Sequence, residues 1–461
     1  MNSIKYFTSI LSFGLFLTLF VFANGKDQKI QEIKEYLGTV FSENFPGCQV
    51  LVAREGKVLI KEAYGLADIS TKRKLTGNCS LPVGSLSKQF TAMAVYMLEQ
   101  ENKLNIDDDL SKYFPDATKL KGIKIIHLLT HTSGIIDYFK IEKWRADLAQ
   151  DLTPRETFDL IINENLEFEP GTQCGYSNSG YHILGLIIEK VTGKPLNEFI
   201  REKILIPLKM THTYFIEDEK EDAGLVKGYE YDSKGKYIEP FKVSKTRFYA
   251  GGSLITNTDD LLKWDNALYS NLLLNKKESK KYFLPFVTAN GDTLSFASGW
   301  ERNGSNVKIF GHGGGINGFV CQVYRVPDKK IFVAVLMNSI NRKGEESASG
   351  IAQKILSKFW DEPENNNKTG FEISPQVVKM YEGKYRLSND AVKTLKYKNG
   401  KLYYVGADER EFELIPLSNT RFKAGKGSTF EFNIGKDGKV DSFKLFTGRG
   451  KPVIAYKIDI N

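Results

Sequence analysis

An α+β fold is predicted for most of this chain: an antiparallel sheet flanked by helices, with an all-helical lobe, followed by a small antiparallel β-barrel or sandwich. Three observations predict it. β-rich runs lie at both ends of the region 45–360, helical periodicity fills the stretch between them, and beyond residue 370 apolar residues alternate at period two. A sheet assembled from distant segments leaves a cleft against the helical lobe, the natural place for a site.

The elements follow in chain order. Gln49-Val50-Leu51-Val52 and Val58-Leu59-Ile60 flank Glu55-Gly56 and read as a hairpin over Cys48 to Tyr64. From Ser85, the residues Phe90, Met93, Ala94, Met97, Leu98 and Leu104 recur at three- and four-residue steps, predicting an amphipathic helix that starts at the serine. From about Asn105 to Arg247 the patterns are mostly helical, including Ile125 to Leu129 and the run Ile183, Leu184, Ile187, Ile188, Val191 closed by Gly193. Phe319 to Val326 and Ile331 to Met337 are strands joined by Pro327-Asp328-Lys329-Lys330, and Ala348 to Trp360 is a closing helix. The polar 361–370 segment around Pro363 reads as a linker, so the main domain spans 24–360. In 371–461, Gly383 to Arg386, Thr394 to Tyr397, Lys401 to Tyr404, Phe412 to Leu414, Phe430 to Phe432 and Phe443 to Leu445 alternate around turns such as Asn399-Gly400 and Asp437-Gly438.

Composition bounds the partners. The 461 residues are 41% hydrophobic and 26% charged, as in globular proteins. Lys5 precedes an apolar run, Tyr6 to Ala23, that ends in a small-x-small pattern, so 1–23 reads as a signal peptide cleaved after Ala23. The mature protein is expected to be secreted or periplasmic, with a membrane partner only if that segment is retained. The net charge of +8 is modest, and the region 371–461 carries 17 Lys and Arg against 11 Asp and Glu. These charges alternate with apolar residues, which favours a solvated sheet face over a nucleic-acid surface. Cys48, Cys79, Cys174 and Cys321 allow three pairings or none, and they lack the close spacing of a zinc site.

Ser85-Leu86-Ser87-Lys88 carries the chemistry. Residues three apart share a helix face, and burial near a positive helix end disfavours the ammonium form of Lys88, so a neutral amine can take the proton of Ser85. Ser233-Lys236 and Ser305-Lys308 repeat the spacing, but neither lies at a helix start. Acyl transfer further needs a second proton shuttle, an orienting donor and an oxyanion pocket. Cys174-Gly175-Tyr176-Ser177-Asn178, a polar loop before a helix, offers a phenol and an amide. Gly311-His312-Gly313-Gly314-Gly315, before a strand, offers glycine backbone for close approach. His127 and His131 are spaced as a helical metal pair but have no third ligand, so structural roles are expected for them.

With His127-Leu128-Leu129-Thr130-His131-Thr132-Ser133-Gly134 and Gly251-Gly252-Ser253-Leu254, these motifs resemble the superfamily of class C β-lactamases, penicillin-binding proteins and D-aminopeptidases over roughly Phe45 to Trp360. The resemblance implies a β-lactamase-like fold and a cofactor-free serine hydrolase with no metal, in which Ser85 is acylated, Lys88 accepts its proton and Tyr176 is base or shuttle. It further implies that Asn178 and His312 bind substrate and that the amides of Ser85 and Gly315, beside Gly314, form the oxyanion hole. His312 stands where class C β-lactamases carry a lysine, which is more similar to D-aminopeptidases and certain esterases. The implied substrate is a small molecule or peptide: an amide, D-residues included. The alternatives are a carboxylesterase and a non-turnover penicillin-binding sensor. The C-terminal region resembles, more weakly, the lipocalin-like barrels appended to such enzymes.

Overall fold

The structure, a computed structural model, describes residues 27–218, 225–289, 291, 293–303, 308–340, 346–359, 373–387, 391–406, 411–416, 420–424, 428–435, 439–446 and 453–458. The expected leader 1–23, the linker 361–370, Ser305-Asn306 and the Asp437-Gly438 turn lie outside the described residues. The chain forms two compact units, one of Met1–Thr172 and Ser177–Asp361, the other of Gln173–Tyr176 and Glu362–Asn461.

In the first unit β1 (Cys48–Arg54) and β2 (Lys57–Tyr64) form the expected hairpin. Five later strands join them: β3 (Phe296–Ala297), β4 (Trp300–Asn303), β5 (Ile309–Ile316), β6 (Phe319–Val326) and β7 (Ile331–Met337). Their order is β3-β4-β5-β6-β7-β1-β2, antiparallel throughout. The sequence ends of this region meet at the β1–β7 pair, where Cys48 faces Met337 and Arg54 faces Ile331.

Side chains on a strand alternate between faces, and here both faces are covered. Val50, Val52, Val333 and Val335 enter one core with Ile351, Ile355 and Phe359 of the closing helix and with Ile33 and Leu37 of the 27–40 helix. Leu51, Ala53, Ala334 and Leu336 enter the other, with Phe90 and Trp264 stacked at 4.3 Å. This explains the uninterrupted apolar run of β7, all seven residues of which are buried.

Helix α1 (Lys88–Gln100) runs through the second core, and α2 (Asn178–Thr192) packs beside it. Gly193 ends α2 in a left-handed conformation with φ +67°, as its position after the apolar run predicts. Strand pieces too short for periodicity to reveal occur within and beside the mostly helical stretch: Tyr214–Phe215 and Leu81–Pro82 pair on either side of Leu254–Thr256, and Glu230–Tyr231 pairs with Tyr237–Ile238. Helix α3 (Thr258–Ala267) is tied to the sheet by Asp265, whose carboxylate accepts from Arg325 Nε of β6 at 2.7 Å. That guanidinium lies 4.5 Å from the Tyr269 ring and 5.0 Å from the Phe283 ring.

The second unit is a closed barrel of eight antiparallel strands in sequence order, from Gly383–Leu387 to Val453–Ile458, which pair to close the ring. It contains two strands absent from the sequence reading, Arg421–Ala424 and Val453–Ile458. Tyr381, Tyr385, Phe422, Phe430, Phe432 and Phe443 fill its interior. Among the described residues, no helix is long and apolar enough to cross a membrane.

Asp265 and Arg325 are both nearly inaccessible, so deleting one partner strands the other charge in an apolar setting. Asp265→Ala is expected to cost about 3–5 kcal/mol in urea denaturation. A loss below about 1 kcal/mol would contradict this account of how α3 is held.

Candidate active site

The α-helix begins at Lys88, one turn later than the sequence reading placed it. Ser85 belongs to a preceding 3-10 turn, Gly84–Ser87. The reason lies in the strand alongside. Gly84 has φ +50°, and a Cβ there would lie 2.8 Å from the Gly315 carbonyl oxygen of β5. A Cβ on Gly314 would lie 1.8 Å from the Val83 carbonyl oxygen. Backbone therefore meets backbone, and only glycine fits. Because β4 pairs with β5 no farther than Gly311, the following residues of β5 present an edge to this turn, with Gly315 exposed.

Ser87 Oγ donates to the Gly84 carbonyl at 2.7 Å and accepts from Leu254 N at 3.0 Å, pinning the turn from behind. The Cys321 thiol donates to the Val83 carbonyl at 3.3 Å. All four cysteines are free thiols, and burial pushes that of Cys321 up to about 12. In a 3-10 turn residues i and i+3 eclipse, which sets the lysine amine directly over the serine hydroxyl.

Lys88 Nζ lies 3.0 Å from Ser85 Oγ, donates to Asn178 Oδ1 at 2.7 Å and donates to the Gly251 carbonyl at 2.8 Å. The lysine is fully buried, and burial lowers its pKa to about 7, with the charge of Asp137 acting the other way. Its amine also sits 5.6 Å from the centre of the Tyr181 ring. Asn178 opens α2 after the cap Ser177. Its backbone N–H and its Nδ2 both donate to Asp137 Oδ2, each at 2.8 Å.

His131 is buried, with φ +59°, and its Nδ1 accepts from Ser177 N at 3.2 Å. Burial, then the charges of Lys88 and His312, holds its pKa well below the usual histidine value. On β5, His312 Nδ1 donates to the Gly313 carbonyl at 2.6 Å. Burial lowers the His312 pKa to about 4, so near neutral pH no cation stands at this motif.

The structure thus gathers Ser85, Lys88 and Asn178 into hydrogen-bonding range and lays Gly314 and Gly315 against the same turn. Tyr176 is half-buried one residue before Ser177, in the segment grouped with the second unit. Of the decoys, Ser233-Lys236 is the turn of the Glu230–Ile238 hairpin. His127 Nδ1 accepts from Lys124 N, closing a helix start. Among the described residues no His, Cys, Asp or Glu cluster is placed to hold a metal ion. Sequence reading missed Asp137 and named Gly251 only as part of a motif, without the role of its carbonyl, whereas His131 takes a structural role as expected. The one available signal was Asp137 itself, a carboxylate directly after the apolar pair Ile135-Ile136. A cleft of about 790 Å³ has Pro82, Phe248, Ile316 and Phe319 among its walls, and none of Ser85, Lys88, Asn178 or His312 lines it.

Residues 27–354 match the family model described as Beta-lactamase. Among curated relatives, penicillin-binding protein 4* of Bacillus subtilis is 30% identical over 91% of this chain and 96% of its own length. Among solved structures, the octameric penicillin-binding protein homologue from Pyrococcus abyssi superposes with a TM-score of 0.63 at 24% identity, covering 92% of this chain and 99% of that one. The D-amino acid amidase of Ochrobactrum anthropi SV3 superposes with a TM-score of 0.59 at 22% identity over 72% of this chain and 97% of its own.

The two glycines of β5 differ in tolerance. A Cβ at Gly315 meets nothing nearer than 4.0 Å. Gly314→Ala is expected to cost about 1–3 kcal/mol in thermal denaturation and Gly315→Ala within about 0.5 kcal/mol. Equal stability of the two variants would contradict the Gly314 to Val83 contact.

Proposed function

The chain belongs to the Beta-lactamase family of serine hydrolases, and from that premise we propose that it hydrolyses an amide or peptide bond, D-amino acid substrates included, through an acyl-enzyme on Ser85. The carrying observation is the set of partners around Lys88. Asn178 Oδ1 and the Gly251 carbonyl can only accept, so a neutral amine points its two N–H bonds at them and turns its lone pair to Ser85.

In this reading Lys88 Nζ takes the Ser85 proton as Oγ bonds to the substrate carbonyl carbon. The carbonyl oxygen becomes an oxyanion between the amides of Ser85 and Gly315. Collapse breaks the carbon–nitrogen bond, and the amine leaves with the transferred proton, for which the family resemblance assigns Tyr176 as shuttle. Water then attacks the ester and restores Ser85. Asn178 orients the acyl part.

The neutral His312 supports an amide over a β-lactam, because no fixed cation at that motif meets a β-lactam carboxylate. The name of the Ochrobactrum neighbour, an amidase for D-amino acids, points the same way. Ester hydrolysis is the second reading, favoured by the same neutral site. We place the reaction outside the cytoplasm on the strength of the Tyr6 to Ala23 run, which N-terminal sequencing of exported protein would test.

The substrate test is a panel of D-aminoacyl anilides, p-nitrophenyl esters and nitrocefin. Anilide turnover is expected, with Ser85→Ala lowering it at least about 10⁴-fold. Turnover of esters alone would remove the amidase reading. Because only the unprotonated Lys88 has a lone pair, Ser85 acylation by a fluorophosphonate should rise with pH through about 7 and plateau above it. A rate flat from pH 5 to 9 would contradict the role given to the lysine.

A further inference from the structure

We propose that Asp137 is a positioning residue that sets the orientation of the Asn178 amide and thereby holds the Lys88 amine on Ser85. The inference rests on the Ser85 acyl-enzyme reading and extends it to a residue that touches neither Ser85 nor the oxyanion pocket.

An asparagine amide has two faces that differ only in which atom donates. At α2 the choice is forced. Asp137 Oδ2 accepts from both the backbone N–H and Nδ2 of Asn178, each at 2.8 Å, and its Oδ1 accepts from Phe139 N at 2.9 Å. An ionised carboxylate only accepts, so the nitrogen of the Asn178 side chain must face it. The oxygen is then left to point at Lys88 Nζ, 2.7 Å away. A flipped amide would set an oxygen against a carboxylate and a donor against an amine. Asp137 is itself buried, at 7% exposure, so water does not compete for these bonds. One hydrogen of Nδ2 remains for a substrate carbonyl.

The carboxylate also acts on Lys88 through its charge. The titratable groups around the amine are Ser85, Asp137, His131, His312 and Tyr181, and the tyrosine hydroxyl donates to the Leu129 carbonyl. Tyr176 is the remaining titratable group of the motif. The Asp137 carboxylate opposes the effect of burial on the lysine.

The test compares wild type with Asp137→Asn, using the full-length chain, circular-dichroism melting to verify folding, and fluorophosphonate labelling of Ser85 from pH 5 to 9. An asparagine at 137 cannot accept on both of its ends, so the Asn178 amide loses its fixed face. Expected are a labelling rate on the plateau about tenfold lower and an acid limb displaced by about 0.5–1 pH unit to lower pH, since the charge that favours the ammonium is gone. A rate within twofold of wild type, or a slower rate with the limb unmoved, overturns the proposal; the second result would mark a merely structural residue.

If Asp137→Asn does not fold, the pair can be exchanged. Asn178→Asp alone faces two carboxylates together, whereas Asp137→Asn with Asn178→Asp restores a donor against an acceptor. Recovery of labelling by about tenfold in the double variant over the single supports the proposal, and no recovery overturns it. Ser85→Ala separates the underlying reading from this one: labelling that survives it defeats the acyl-enzyme itself, whatever Asp137 does.

Discussion

The proposed reaction depends on an amine that has been taken out of water and given two partners that can only accept. Desolvation alone lowers the pKa of Lys88 but does not aim it. The Asn178 oxygen and the Gly251 carbonyl supply the aim, because each takes one N–H bond of the amine and, in the proposed neutral form, the lone pair is left to face Ser85. These partners come from positions 88, 178 and 251, so the chemistry exists only when α1, α2 and the short helix Tyr249–Gly252 are docked together.

The glycines of β5 serve the same end by subtraction. Where a side chain would stand, the 83–84 backbone runs, and so the serine turn can lie against a strand edge. Pinning from behind by Ser87 and from the side by Cys321 then leaves the turn little room to move. Preorganisation of this kind lets a site meet developing charge without rearranging at the moment of reaction.

Local chemistry was legible in the sequence wherever one element decided it. The hairpin around Glu55-Gly56, the stop of α2 at Gly193 and the pairing of β6 with β7 across Pro327-Asp328 follow from neighbours in the chain, and they stand in the fold as read. So does the grouping of Ser85, Lys88 and Asn178. What escaped was set by distant segments. The 3-10 turn at Ser85 exists because of Gly314 and Gly315, more than 200 residues away. Asp137 gains meaning only once Asn178 is beside it. The Asp265–Arg325 pair joins residues 60 apart with no local signal. In the barrel, Arg421–Ala424 is too short, at four residues, for alternation to stand out.

The C-terminal ring closes on itself through Lys384 facing Ile458. A sheet with exposed borders offers passing polypeptides a ladder to extend, which is how many strands recruit partners or stick to one another. A cylinder with every border already taken offers none. Whatever this unit of the molecule grips, it must do so with side chains and connecting loops, and its Lys-rich outer wall can crowd beside copies of itself without zipping into fibres.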